Sequence, residues 1–308
     1  MFPELVSLYE VTQKAYLEKQ MQSSMGEFSR ILCIHALYHQ TWQVKFYLQR
    51  PLNVWIPTAE KQSVEKIRQS QPTWLPGIPS FSKWRNSACD VLDILHWHAN
   101  SVIGAASGME HPTVLHLHLA RVVLLTPFQE ILDLAQSLVR LPPTGRDLEN
   151  IKNLMSHIRR WALEDQYKAR LAMIHAGVLF WHVRRYSTDA FYEPSAVHLA
   201  TLALWAYATF ARQFTNSDAD NSDDHLPDYM QLDRPADDEL VQLFVKRGSV
   251  MRAQITGVGN ICSEKGPTKL LIEGKRLLGG LKRWNIARQL AIELGKLLDI
   301  GSDTLSPK

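Results

Sequence analysis

The stretch His111–Arg140, HPTVLHLHLARVVLLTPFQEILDLAQSLVR, constrains the fold more than any other. Pro112 stands where the first turn of a helix tolerates it, because the N–H it lacks would have no intrahelical partner there. Behind it the apolar residues fall almost all round a helix: Val114, Leu115, Leu117, Leu119, Val122, Val123, Leu124 and Leu125. A helix without a wet face has to be enclosed by others. Thr126-Pro127 then ends or kinks it, and Phe128, Ile131, Leu132 and Leu138 restore a one-sided stripe. The apolar run His116–Leu125 carries an Arg and two His and is too short to span a bilayer. The stretch predicts an all-α protein, a bundle of roughly ten helices around a central buried helix at 112–125.

The rest of the chain agrees in period. Apolar residues at helical spacing predict helices over 3–20, 26–49 and 80–99, with a short one near Ala59–Gln69 between prolines. After the turn Leu141-Pro142-Pro143-Thr144-Gly145, Asp147 is the candidate N-cap of a helix carrying Ile151, Leu154, Met155, Ile158, Trp161 and Ala162. The pattern resumes with Leu171, Ile174, His175, Val178, Leu179 and His182. Pro194 opens a helix over Ser195–Gln213, and short helices near 237–246, 264–279 and 284–298 close the chain. No sustained strand alternation and no repeat of fixed period is visible. Residues 1–308 read as a single all-helical domain of regulatory type.

Charge is unevenly spread. The net charge is +3, yet residues 216–239 hold nine acids against one base, Arg234. Between Lys246 and Lys296, eleven Lys or Arg face three Glu. The segment 216–236 is expected to be an acidic surface loop, ordered or disordered, and the basic region a solvated face partly balanced by it. Cys33, Cys89 and Cys262 are far apart and form no CxxC, which argues against a disulfide scaffold and against a zinc module within this sequence. No signal peptide is visible at the start.

Reaction motifs are scarce. His35 and His39 share a helix face at the spacing of a two-His metal pair, but Ala36 stands where a zinc protease has its catalytic Glu. His96 and His98, like His116 and His118, are two apart and point to different sides of a helix. Gly257-Val258-Gly259 is a lone GxG in a helical context, too weak for a phosphate site. Asp218-Ala219-Asp220 begins like a calcium loop but lacks its glycine and its closing Glu. No nucleophile motif is present, and no metal or cofactor is expected.

Four segments together resemble the helical regulatory region, or middle homology region, of fungal-specific transcription factors. They are Ile34–Trp42, His111–Ile131, Ile158–Phe210 and Ile261–Trp284, each a pattern of hydrophobics, Trp and Pro rather than of catalytic groups. The resemblance implies an all-α domain in the nucleus that modulates a regulator's activity by effector sensing, autoinhibition or dimerisation. In that family a zinc cluster or two-Cys-two-His finger reads DNA, so no direct DNA contact is expected of this chain, and no membrane contact. Because such a module is absent from this sequence, the chain is either part of a longer regulator or a stand-alone protein on the same fold.

Three functions compete on this reading. A sensor holds an apolar small molecule among aromatic and His side chains, with Tyr38, His39, Trp42, Trp97, His118, Trp181, His182, Trp205 and Tyr207 as candidate lining. A stand-alone enzyme, cytoplasmic rather than nuclear, isomerises, cyclises or dehydrates a metabolite by pocket shape and acid–base chemistry, with His39, His118 and Asp93 as candidate catalytic groups. A scaffold dimerises, or engages a coregulator, through the Ser195–Gln213 helix.

Overall fold

The computed structural model describes residues 6–21, 25–48, 50, 58–64, 74–105, 112–140, 145–211, 229–234 and 238–300. Among them are eleven α-helices and three short strands, so the protein is an all-α, multi-helix bundle with a small sheet attached. The chain divides into two compact units, Met1–Leu124 and Leu125–Lys308.

The first unit contains α1 (Leu8–Leu17), α2 (Glu27–Leu48), α3 (Pro79–Ala105) and nearly all of α4 (Pro112–Leu125). A capping box starts α1. The Ser7 Oγ accepts from the Glu10 N–H at 3.2 Å, and the Glu10 carboxylate accepts from the Ser7 N–H at 3.0 Å. That reciprocal pair satisfies two orphan donors, which is why the helix begins at Leu8. Val11, Ile34, Leu37, Leu92, Leu95 and Leu117 form the heart of the unit's core. Each such side chain contributes about 1.5–3 kcal/mol by leaving water. In α4 every residue from Thr113 to Val122 is buried, as the all-round apolar pattern requires.

The second unit contains α5 (Phe128–Val139), α6 (Gly145–Glu164), α7 (Gln166–Tyr186), α8 (Glu193–Ala211), α9 (Asp238–Arg247), α10 (Gly266–Gly280) and α11 (Asn285–Ile300). Helix α4 stops before Thr126-Pro127, and α5 begins directly after them. Among the described residues no single helix is long and apolar enough to cross a membrane. Here the hub is α8. It is buried along almost its whole length and packs against α5, α6, α7, α10 and α11. Its buried Glu193 sits in the first turn, where the helix dipole favours an anion, and accepts from Ser187 Oγ and from the Thr188 N–H at 3.0 Å. The Trp161 indole N–H, fully buried on α6, donates to the Leu125 carbonyl at 2.9 Å.

Strands β1 (Tyr229–Gln231), β2 (Arg252–Ile255) and β3 (Gly259–Asn260) form a sheet in that order. β1 pairs with β2 in parallel, Met230 opposite Ala253, and β2 with β3 antiparallel, Gln254 opposite Asn260. The sequence showed no strand pattern because strands this short have no period to display. Gly257-Val258-Gly259 is therefore the link of a hairpin and not a glycine pair in a helical setting; both glycines have φ near +80°, at +82° and +81°.

The acidic window also needs correction. Residues 229–234 are a strand and a turn in which Met230, Leu232 and Asp233 are buried while Tyr229 and Arg234 are exposed, so this part has fixed structure and is only partly surface. The rest of 216–236, apart from these six residues, lies outside the described residues, as do residues 65–69 of the helix expected near Ala59–Gln69; of its described residues, 59–63 are not helical. Asp147 lies in the first turn of α6, which starts at Gly145, and is not its cap.

Helices α8 and α10 approach closely at Gly274. A Cβ on Gly274 would stand 2.3 Å from Thr201 Oγ1. Gly274→Val is expected to cost about 1–3 kcal/mol or more by overpacking; urea unfolding with an unchanged midpoint would contradict this contact.

Candidate functional site

In the second unit, α6, α7, α8, α9 and β2 enclose a cavity of about 110 Å³. The apolar walls come from Ala162, Leu163, Phe244, Met251 and Ala253. The polar groups are Gln166 and Arg170 on α7, Tyr207 on α8, Ser249 and Cys262. Arg170 is 3% exposed. Its guanidinium donates to the Val245 carbonyl at 2.9 Å and to Gln166 Oε1, while its Nε is buried without a hydrogen-bond partner. The Tyr207 ring meets Trp161 edge-on, centroids 6.1 Å apart. Burial raises the Tyr207 hydroxyl above the usual phenol range, with Cys262 adding to this and the Arg170 charge opposing it. Burial pushes the Cys262 thiol up to about 12. Neither group exchanges a proton near neutrality.

An ion cluster holds the sheet beside this cavity. Arg184, at the far end of α7, donates to Asp233, to Glu273 Oε1 at 2.6 Å and to the Thr256 carbonyl at 2.8 Å. Asp233 in turn accepts from the Thr256 N–H at 3.0 Å and from Gln231. Arg276 closes on Glu273 with two hydrogen bonds of 2.7 Å. Burial alone would raise the Glu273 carboxyl, but the hydrogen bonds and charges of Arg276 and Arg184 hold it below the usual range. Next to the cluster, Trp181, Arg185, Arg234 and Thr256 border an open cleft of about 530 Å³.

The first unit brings together two of the three expected catalytic residues. Arg121, buried on α4, pairs with Asp93 on α3 and approaches His96 Nδ1 at 3.5 Å. The His96 ring meets His118 edge-on, centroids 5.2 Å apart. Burial, reinforced by Arg121, lowers His96 to about 4. Asp93 thus serves as counter-ion to a buried arginine. The third, His39, is exposed on α2, where it stacks on Trp42, which stacks on Phe46.

The nine expected lining residues are dispersed. Trp42 and Trp97 are 61% and 72% exposed, and lie on the surface with His39 instead of in an interior. Tyr38 is half-buried, with its hydroxyl inside. Trp205 is in the core, Trp181 borders the cleft, and His182 packs on Tyr186. Tyr207 is the one of the nine that lines the 110 Å³ cavity. Arg170, Asp233 and Glu273 were missed. Arg170 carries a visible signal: it falls in phase with Met173, Ile174 and Gly177, a charge on an apolar stripe.

Over part of its length the chain is similar to a fungal transcription factor. A "Transcription factor" of Gibberella fujikuroi is 28% identical over 127 residues, 41% of this chain. The match spans 16% of that relative's length. No family model matches the chain, and no solved structure does.

Buried histidines make the fold acid-sensitive. His198, on α8, is lowered to about 4 by burial although Glu293 stands 3.6 Å away, so it is neutral when folded. Unfolded, it binds its proton near pH 6.5. Stability is therefore full above that pH and is lost as pH falls toward 4, by up to about 3 kcal/mol for such a shift. Glu273, held low, adds a loss at still lower pH. Melting temperature is expected to drop between about pH 6.5 and pH 4.5, and His198→Gln to reduce the slope; an equal slope in the variant would refute the assignment.

Proposed function

We propose that this chain is the effector-sensing regulatory region of a fungal-type transcription regulator, acting in the nucleus. What carries the reading is the 127-residue likeness to a fungal transcription factor. The all-helical fold agrees with it, and so does the 110 Å³ cavity, whose polar groups suit ligand binding. On this reading DNA is read by a separate module. Ligand in the second unit shifts the helical bundle between two states, and a coregulator or a second copy reads the difference.

A reporter measures this directly. Residues 1–308 fused to a heterologous DNA-binding domain are expected to change transcription severalfold relative to that domain alone. Equal output from a fusion expressed at the same level would overturn the regulatory reading.

A further inference from the structure

Arg170 is a cation that cannot be neutralised by losing its proton. It is buried, and among the described residues no carboxylate lies within ion-pair distance. Leaving an ion inside a protein without a counter-charge costs several kcal/mol. The neighbouring groups carry no full charge: the Val245 carbonyl, the Gln166 side-chain amide and the Tyr167 ring, whose centroid lies 5.9 Å from the guanidinium carbon. Elsewhere on the same helix Arg184 has two carboxylates, Asp233 and Glu273. The Nε of Arg170 still lacks an acceptor, and its guanidinium forms part of a cavity wall with the Tyr207 hydroxyl.

We infer that the cavity between α7 and α8 is a binding site for a small monocarboxylate, its carboxylate on Arg170 and Tyr207 and its short apolar tail against Phe244, Met251 and Ala253. The anion supplies a counter-charge that the described residues do not, and a planar carboxylate matches the fork of a guanidinium. Tyr207 keeps its proton and donates it as a second hydrogen bond. Size sets the class: an apolar cavity of about 150 Å³ holds benzene, so 110 Å³ takes a four-carbon acid. As the effector of a regulator this ligand rests on the proposed function; as a binding site it does not.

Calorimetry with the purified full chain and sodium butyrate tests the site, and involves no transcription. Saturable binding near about 1 mM is expected for so small a ligand, with butyramide and inorganic phosphate at least about tenfold weaker. Arg170→Met should abolish butyrate binding while melting at the same or a higher temperature, because an uncompensated buried charge is gone. A merely structural arginine would instead lower the melting temperature. Tyr207→Phe should weaken binding about tenfold. Should Arg170→Met fail to fold, Ala253→Leu fills the cavity with the charge left in place and should abolish binding. No saturable butyrate binding, equal binding of butyramide or phosphate, or full binding by a folded Arg170→Met or Ala253→Leu overturns the site. Butyrate bound through Arg170 with a silent reporter would leave the site standing and remove only the regulatory reading.

Discussion

A guanidinium drawn partly out of water needs anions and acceptors placed round its whole edge. Arg184 has them from three chain segments that are distant in sequence: Asp233 after β1, Thr256 after β2 and Glu273 on α10. Asp233 also accepts from the backbone of Thr256, so the two strands and α7 meet at one carboxylate. The sheet is too small to stand alone, since two or three short strands are marginal in water. Its position on the helices depends on this charge cluster. Two arginines and two carboxylates balance within it, and Glu273 is kept ionised by the cations it binds.

The cavity depends on the same cluster at one remove. β2 supplies Ala253 to its wall, and the turn after β3 supplies Cys262. Fourteen residues toward the N-terminus of α7, roughly 21 Å along the axis, Arg170 lines that cavity with a backbone carbonyl, a side-chain amide and the Tyr167 ring as its described neighbours. One helix thus carries a compensated arginine that fixes the sheet and an uncompensated one that fits an anion.

The helical fold was legible because its signal is local. An all-round apolar run from Val114 to Leu125, broken at Thr126-Pro127, could only be an enclosed helix and a break, and α4 ends at that break. The run from Pro194 to Phe210 has the same character and became the hub of the second unit. The sheet and ion cluster were not legible, because Arg184 and Asp233 are 49 residues apart and nothing in an acidic window marks which carboxylate folds inward. Aromatic type misled in another way. Trp42 and Trp97 look like lining, but α2 and α3 already bury their other faces through Ile34, Leu37, Leu92 and Leu95. Arg170 was legible in phase and overlooked because charge was read only in runs.

In this account the helical bundle is the frame, the sheet closes one side of a binding cavity, and the Arg184–Asp233 contact holds the sheet in place. A double-mutant cycle in urea unfolding tests that contact, using Arg184→Met, Asp233→Asn and both together. Each single change is predicted to cost about 3–5 kcal/mol, because each leaves the partly buried cluster of two arginines and two carboxylates with one unbalanced charge. The pair should cost at least about 2 kcal/mol less than their sum. Effects that add within about 0.5 kcal/mol would mean that the arginine and the carboxylate act independently, and the sheet would have to be held by something else.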